Sequence, residues 1–247
     1  MPTILAIETS AELASCALLV GDPASASVSA NVSERAAAGV RTHSQSILPM
    51  VQELLREAGI GLADVDAVAF GAGPGSFTGV RTACGVTQGL AYGADLPVLP
   101  LVTLEAMAEA CRARTGAGEV LAVLDARMGE VYWAQYRHDG GSDGGWRAVV
   151  APMLSAPADV APQAAPGLQA CGNGFAEYAD AFAGRPFAQG ALTDIVPHAR
   201  DLARLGVAAL AAGQGVPPAQ AQPLYLRNKV AYTSAERQAL NAAKAGA

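Results

Sequence analysis

An apolar strand that ends in an acidic turn and returns as a second apolar strand occurs twice in this chain. The first copy joins residues 3–7 to residues 14–20, and the second joins residues 120–125 to residues 131–136. Short apolar runs bounded by turn residues are typical of buried strands. The recurrence predicts two β-hairpins and favours folds that contain the same unit twice.

The segments around the two hairpins predict further strands and helices. In the first half these are strand 28–34, helix 44–58, strand 67–70, helix 78–92, strand 98–100 and helix 103–112. In the second half they are an exposed loop tip at 140–145, a loosely structured Pro- and Ala-rich segment at 151–167, strand 169–173 and helix 201–212. Periodicity and glycine ends define these helices.

A repeated hairpin unit followed by helices is typical of actin, sugar kinases and Hsp70, whose two halves face each other across a cleft. We therefore predict an α/β fold of the actin-like (ASKHA, ribonuclease H-like) class with two duplicated halves. The first half spans residues 1–104 and the second spans residues 105–232. Residues 233–247 are Ala-rich and predict a flexible tail.

The charge balance argues against nucleic-acid binding by this chain alone. Sixteen basic and twenty-two acidic residues give a net charge of −6, which repels phosphate backbones at long range. We expect any RNA to be held mainly by a partner protein.

Cysteine usage and the chain's N-terminal residues predict a cytoplasmic protein. The four cysteines are widely spaced among small and apolar residues, which is typical of buried thiols in a reducing compartment. The first residues lack a basic segment, and no apolar run approaches the roughly 18 residues that a membrane span requires. We expect no membrane association.

The most distinctive stretch is the glycine-rich turn GAGPGSFTGVR at residues 71–81. Such a turn between a strand and a helix can direct backbone N–H groups at an anion. Pro74 supplies no N–H group, however, and no Gly-Lys-Ser/Thr follows as in a P-loop. The alternative is a tight turn in which Ser76 or Thr78 caps the next helix. The small residues of that helix favour a surface against which another helix packs.

Metal ligands and nucleophile motifs give no clear pattern. His43 begins a predicted helix, but position 47 is Ile, and His138 and His198 stand in unrelated contexts. The glycine-rich turn at residues 71–79 contains no G-x-S-x-G motif. We predict no metal site, no cofactor and no catalytic residue.

Acidic residues at the two hairpin turns are the candidates for a vestigial nucleotide site. Glu8 and Asp125 end the first strand of each hairpin, and Asn173 lies in a Gly-Asn-Gly turn. In ATP-using actin-like proteins the corresponding hairpins hold phosphate and magnesium. The alternative for Asp125 is a turn pair with Arg127 that has only structural value.

Six segments together resemble the TsaB (YeaZ) family, whose members serve the biosynthesis of threonylcarbamoyladenosine in tRNA. The segments lie in order within residues 3–232 and are LAIETSAELASCALL, RTHSQSILPMVQELL, GAGPGSFTGVRTACGVTQGLAYG, VLAVLDARMGEVYWAQY, CGNGF and PLYLRNKVA. The resemblance implies an actin-like fold and a non-catalytic scaffold subunit. Its partner is then the catalytic subunit TsaD, and TsaE joins the two.

The resemblance also implies which surface contacts the partner. The catalytic subunit carries a His-x-x-x-His metal pair, whereas the matching helix here reads from His43 to Ile47. Helices 44–58 and 77–92 are implied to pack against TsaD, or against a second copy of this chain when TsaD is absent. The candidate interface residues are Ile47, Val51, Leu54, Gly79, Ala83 and Gly89. The residues alone leave open which of these face outward and which line the core.

The rival interpretation is an actin-like ATPase or kinase that uses Glu8, Asp125 and the 71–79 turn to bind magnesium and ATP. A peptidase is a weaker rival, since the sequence offers no metal pair and its glycine-rich turn at 71–79 carries no nucleophile motif.

Overall fold

The computed structural model describes residues 2–21, 32–38, 43–140 and 145–227. The strands are β1 (Ile4–Glu8), β2 (Leu13–Leu19), β3 (Val32–Ala38), β4 (Ala67–Gly73), β5 (Val98–Val102), β6 (Glu119–Asp125), β7 (Val131–His138), β8 (Trp146–Ser155) and β9 (Leu168–Cys171). The helices are α1 (His43–Ala58), α2 (Phe77–Ala94), α3 (Thr103–Thr115), α4 (Gly174–Glu177), α5 (Ala179–Phe182) and α6 (Ala199–Ala211).

The first sheet has the strand order β3-β2-β1-β4-β5 and is covered on both faces. Strand β1 is antiparallel to β2 and parallel to β4. Its side chains alternate, so Leu5 and Ile7 pack with α1 and α2 while Ile4 and Ala6 pack with α6. Because both faces of β1 are buried, its sequence is a continuous apolar run.

The second sheet has the strand order β8-β7-β6-β9. Strand β6 is antiparallel to β7 and parallel to β9. Helix α3 packs on one face of this sheet, where Leu104 and Met107 meet Val120. On the other face, Phe175 and Phe182 pack against Val123.

Both predicted hairpins are confirmed, and so is the α/β class with two mixed sheets. In each sheet the opening strand pairs antiparallel with the next strand and parallel with a later one. Helix α6 follows residue 104 in the chain yet packs on the first sheet. The division into halves at residue 104 stays a prediction.

One segment was predicted wrongly, because strand β8 extends through residues 151–155 of the expected loose excursion. Pro152 lies where the pairing with β7 shifts register, between the pairs Gln135↔Val150 and Trp133↔Met153. Strand β8 is at the edge of its sheet, where a proline deprives no neighbouring strand of a hydrogen bond. A proline-rich composition therefore did not exclude a strand here.

Several predictions fall on residues outside the described ranges. These are the start of the strand predicted at 28–34, the centre of the loop tip at 140–145 and the tail at 233–247. His43 is the first residue of α1, but its side chain is also outside the description. Within the described ranges, no helix is long and apolar enough to cross a membrane.

Candidate functional site

A cavity of about 330 Å³ lies between the turns of the two hairpins. The β1–β2 turn and the start of α2 form one wall, and the β6–β7 turn and Asn173 form another. Residues 224–227 complete the lining. The site brings together segments from both ends of the chain.

The glycine-rich turn after β4 makes room for the β1–β2 turn. A Cβ atom on Gly71 would lie 1.9 Å from Oε2 of Glu8, and one on Gly79 would lie 1.8 Å from the carbonyl oxygen of Thr9. A Cβ on Gly75 would lie 2.6 Å from the carbonyl oxygen of Ser10. Three glycines, each four positions from the next, thus leave the space that Glu8, Thr9 and Ser10 of the first hairpin occupy. We call Gly71, Gly75 and Gly79 the glycine cradle.

Hydrogen bonds hold the β1–β2 turn in the glycine cradle. The Ser76 N–H donates to the carbonyl oxygen of Ser10 at 2.7 Å, and the Thr9 hydroxyl donates to the carbonyl oxygen of Gly79 at 2.7 Å. Ser76 also caps α2, because its Oγ accepts from the N–H of Gly79 at 3.3 Å. The tight-turn interpretation with Ser76 as cap is therefore confirmed.

Glu8 lies behind this turn in the interior of the protein. Its Oε1 accepts a hydrogen bond from the Ser10 N–H, and its Oε2 has no hydrogen-bond partner within the described structure. Complete burial raises the pKa of Glu8 to about 7, although the bonds from Ser10 act in the opposite direction. The carboxyl group faces the backbone of Gly71, not an open ligand site.

Asp125 and Asn173 meet at the second hairpin, in one hydrogen-bonded group. The Asp125 N–H donates to Oδ1 of Asn173 at 3.0 Å. Oδ1 of Asp125 accepts from the Arg127 N–H and from the Tyr178 hydroxyl, both at 2.8 Å. Burial raises the pKa of Tyr178 to about 12, and the hydrogen bond to Asp125 acts in the same direction. The structural pairing of Asp125 with Arg127 is thus present, and Glu8 belongs to a separate group.

An ion pair connects the two hairpin turns across the cavity. Arg127 pairs with Glu12 of the first hairpin, and its Nε lies 3.3 Å from Oδ2 of Asp125. Arg127, Met128 and Gly129 have positive φ values of 61°, 60° and 78°. Arg127 and Met128 carry side chains in the left-handed region, which makes this turn conformationally costly, whereas Gly129 adopts it freely. The surrounding contacts must stabilise it.

Residues 221–227, which we call the C-terminal strap, provide such contacts. The Leu224 N–H donates to the carbonyl oxygen of Ala72 at the end of β4 at 2.7 Å. The Arg227 guanidinium donates to Oε2 of Glu130 at 2.6 Å and to the carbonyl oxygen of Arg127 at 3.2 Å. The sequence of these residues belongs to the PLYLRNKVA segment, but no local pattern in it predicts these contacts. An aromatic and an arginine in a proline-led segment were the available signal.

The structure separates the candidate interface residues into a buried and an exposed set. Five of them are buried within the chain itself: Ile47, Val51, Leu54, Gly79 and Ala83. These five residues therefore line the core, and the assignment of α1 and α2 to a partner interface stays a prediction. Gly89 is exposed, and a Cβ there would meet no atom within 4 Å.

Helix α2 presents an open face beside the buried one. Thr78, Arg81, Gly85, Gly89 and Tyr92 follow each other at helical spacing and are all exposed. We call these five residues the α2 face. The Tyr92 side chain is 82% exposed. An exposed aromatic beside glycines is typical of a surface that packs against a partner.

The cysteines and the acidic groups add no further site in the residues that can be described. The four cysteines are buried and free, as the sequence predicts. Nowhere in the described ranges do three or more His, Cys, Asp or Glu side chains come together in a way that could hold a metal ion.

Sequence comparisons relate this chain to proteins of tRNA threonylcarbamoyladenosine biosynthesis. Residues 29–232 match the family model described as TsaD, tRNA N6-adenosine threonylcarbamoyltransferase. The tRNA threonylcarbamoyladenosine biosynthesis protein TsaB of Haemophilus influenzae is 39% identical over 93% of this chain and 95% of its own length. The Escherichia coli protein of the same name is 40% identical over 78% of this chain and 84% of its own length.

Solved structures give the same assignment. YeaZ from Pseudomonas aeruginosa is 40% identical, with a TM-score of 0.79 over 92% of this chain and 100% of the YeaZ chain. A second structure, of an uncharacterized protein with similarity to the peptidase YeaZ from Pseudomonas aeruginosa, is 41% identical and covers the same shares with a TM-score of 0.81. The chain therefore belongs to the TsaB (YeaZ) family of tRNA threonylcarbamoyladenosine biosynthesis proteins.

Proposed function

We propose that this protein is the non-catalytic partner of TsaD in the threonylcarbamoylation of adenosine 37, in tRNAs that read codons starting with adenine. TsaD carries out the transfer, and this chain holds it in a competent conformation. TsaE joins the pair as a third subunit, and tRNA binds only through the complex. The protein acts in the cytoplasm without a cofactor of its own and forms a homodimer when TsaD is absent.

The observation that carries this proposal is the α2 face. Gly85 and Gly89 leave open space above the helix, so that another helix can approach its backbone closely. Tyr92 is exposed at one end of the face, and on the neighbouring helix α1 Leu48 is 46% exposed. These exposed groups replace Ile47, Val51 and Leu54 as the proposed apolar contacts.

The state of the candidate nucleotide residues supports a scaffold more than an ATPase. Oδ1 of Asp125 already accepts hydrogen bonds from Arg127 and Tyr178, and Oδ2 lies 3.3 Å from Nε of Arg127, whose positive charge opposes a metal ion at the same place. Asn173 uses its carbonyl oxygen on the backbone of Asp125. Glu8 lies behind the turn with its carboxyl group against Gly71. We regard the three as remnants of a nucleotide site.

The strand order supports the actin-like duplication that is part of the proposal. The orders β3-β2-β1-β4 and β8-β7-β6-β9 correspond strand by strand. The opening hairpin and its parallel neighbour recur in the same positions.

Reconstituted tRNA modification tests the function. TsaD alone, this protein alone and both together are each supplied with TsaE, ATP, threonylcarbamoyl-adenylate and unmodified tRNA. We expect modified adenosine only in the combined sample. Modification by this protein alone, or by TsaD alone at the same rate, would contradict the scaffold role. Magnesium-dependent binding of ATP to the isolated chain at micromolar concentration would favour the actin-like ATPase or kinase instead.

A further inference from the structure

The C-terminal strap is anchored to the first sheet by its backbone. The carbonyl oxygen of Ala221 accepts from the side-chain amide of Gln88 on α2 at 3.0 Å. Three residues later, the Leu224 N–H donates to the carbonyl oxygen of Ala72. A Cβ on Gly73 would lie 3.0 Å from the carbonyl oxygen of Leu224, so the strap runs closely over the glycine-rich turn.

Arg81 belongs to the strap contact and to the α2 face at once. Its Nε donates to the Tyr225 hydroxyl at 2.7 Å. Its guanidinium carbon lies 3.6 Å from the centroid of the Phe77 ring and 5.4 Å from that of Tyr225. Arg81 is nevertheless exposed, and Tyr225 is 47% exposed. A partner on the α2 face therefore meets a side chain that holds the strap.

Arg227 anchors the other end of the strap in the second half of the molecule. Its side chain is only 13% exposed, and it bonds to Glu130, to the carbonyl oxygen of Arg127 and to Sδ of Met128. These residues form the turn with three positive φ values. A charge-assisted bond to a backbone carbonyl stabilises such a turn more than a neutral one does.

We propose that the C-terminal strap couples the α2 face to the β6–β7 turn, and so to the cavity between the hairpins. A partner that engages Arg81 draws it away from Tyr225, the strap loosens, and the turn at 127–130 loses its support from Arg227. Coupling between two sites is reciprocal, so a change at that turn alters affinity at the α2 face equally. This inference rests on the proposed function only in that the α2 face is the proposed partner surface; the coupling through the strap is a property of the isolated chain and is measured there.

Amide hydrogen exchange on the full-length chain tests the coupling. The Leu224 amide reports on the strap, and the amides of Ala126 and Glu130, which bond within the β6–β7 turn, report on the remote end. The Arg81→Ala variant should speed exchange at Leu224 by about fivefold or more, the effect of losing one hydrogen bond and one exposed cation–π contact. It should also speed exchange at Ala126 and Glu130 by at least about threefold, although neither residue touches Arg81.

The matched control is Arg56→Ala, which removes the same charge from an exposed arginine of α1. Within the described structure, Arg56 has no hydrogen bond or ion pair with the C-terminal strap. We expect this variant to leave all three amides unchanged. Faster exchange at Leu224 without any change at Ala126 and Glu130 in Arg81→Ala would overturn the proposal.

A double variant separates coupling from two independent losses. Arg227→Gln should by itself speed exchange at Ala126 and Glu130. Adding Arg81→Ala should then have little further effect there, because the link is already broken. Effects at these two amides that simply add would show that the two ends of the strap act separately, and the proposal would be rejected.

Addition of TsaD gives a last measurement that separates this inference from the proposed function. If TsaD binds and speeds exchange at Ala126 and Glu130, the coupling and the scaffold role are both supported. If TsaD binds and these amides do not change, the coupling fails while the scaffold role survives. If TsaD does not bind, the scaffold role fails, and the variants still decide on the strap.

Discussion

Gly79 is packed so closely against Thr9 that a single methyl group does not fit between them: a Cβ on Gly79 would lie 1.8 Å from the carbonyl oxygen of Thr9. Helix α2 therefore contains glycines with opposite roles. Gly79 is required by packing, whereas Gly85 and Gly89 are surrounded by open space.

We expect Gly79→Ala to lower the free energy of unfolding by about 3 kcal/mol or more, because the backbone of α2 must move away from the first hairpin. Gly85→Ala, in the same helix, should instead raise it by about 0.5–1 kcal/mol through better helix propensity. Urea unfolding of both variants and the parent chain measures the difference. Equal effects of the two substitutions would contradict the packing role of Gly79.

Gly89→Arg should abolish the association with TsaD and leave the chain folded, because a long charged side chain then fills the space above the α2 face. Ala208→Arg is the matched control, since Ala208 is an exposed residue of α6, on the opposite face of the first sheet. Pull-down with TsaD and circular dichroism measure association and folding. A Gly89→Arg variant that still binds TsaD would place the interface elsewhere.

Glu8 predicts a pH dependence of stability. Burial raises the pKa of Glu8 from an ordinary 4.5 to about 7, so between these values the unfolded chain loses the proton while the folded chain keeps it. The contribution of Glu8 to stability is therefore constant below about pH 4.5, falls as the pH rises towards 7 and is constant again above. Across this window we expect a loss on the order of 3 kcal/mol.

Glu8→Gln isolates this contribution, because glutamine has the shape of the protonated acid and does not titrate. Asp201 and Glu105 also have pKa values raised by burial, to about 6 and about 7, so the parent chain alone gives a composite pH profile. The difference in unfolding free energy between Glu8→Gln and the parent should grow with pH over the same window. A difference that does not depend on pH would mean that Glu8 is ionised in the folded protein.

Asp125→Ala should destabilise the chain by about 2–3 kcal/mol, because the Arg127 N–H and the Tyr178 hydroxyl both lose their acceptor. Asp159→Ala, which removes an exposed carboxylate, is the control and should change stability by less than about 0.5 kcal/mol. Thermal unfolding and reconstituted tRNA modification at low temperature measure stability and function. Lost modification in a variant that remains folded would indicate that Asp125 acts in the reaction.

The sequence predicts the hairpins and the main helices because their signals are local. Residues 3–7 and 120–125 are short apolar runs with clear turns after them, and Gly59 and Gly116 follow the ends of α1 and α3. Strand β8 lacks such a signal, since its Pro152 is acceptable only because β8 is an edge strand.

The candidate site was less predictable because its contacts join distant segments. The helical spacing of Ile47, Val51 and Leu54 shows that they share one face, and in a surface helix the regular apolar face is normally the buried one. The same pattern cannot reveal that Arg81 meets Tyr225, 144 positions later in the chain. Nor can it reveal which residues require the glycines of the turn after β4.

The glycine cradle has a consequence for the order in which the chain acquires structure during synthesis. Thr9 and Gly79 lie 70 positions apart, so the turn of the first hairpin has no support until the chain has grown past the start of α2. Closing a loop of that length costs entropy before any contact repays it. A nascent chain that ends before Gly79 therefore carries an unsupported first hairpin, and the β4–α2 segment is the point at which the N-terminal residues become committed to their final place.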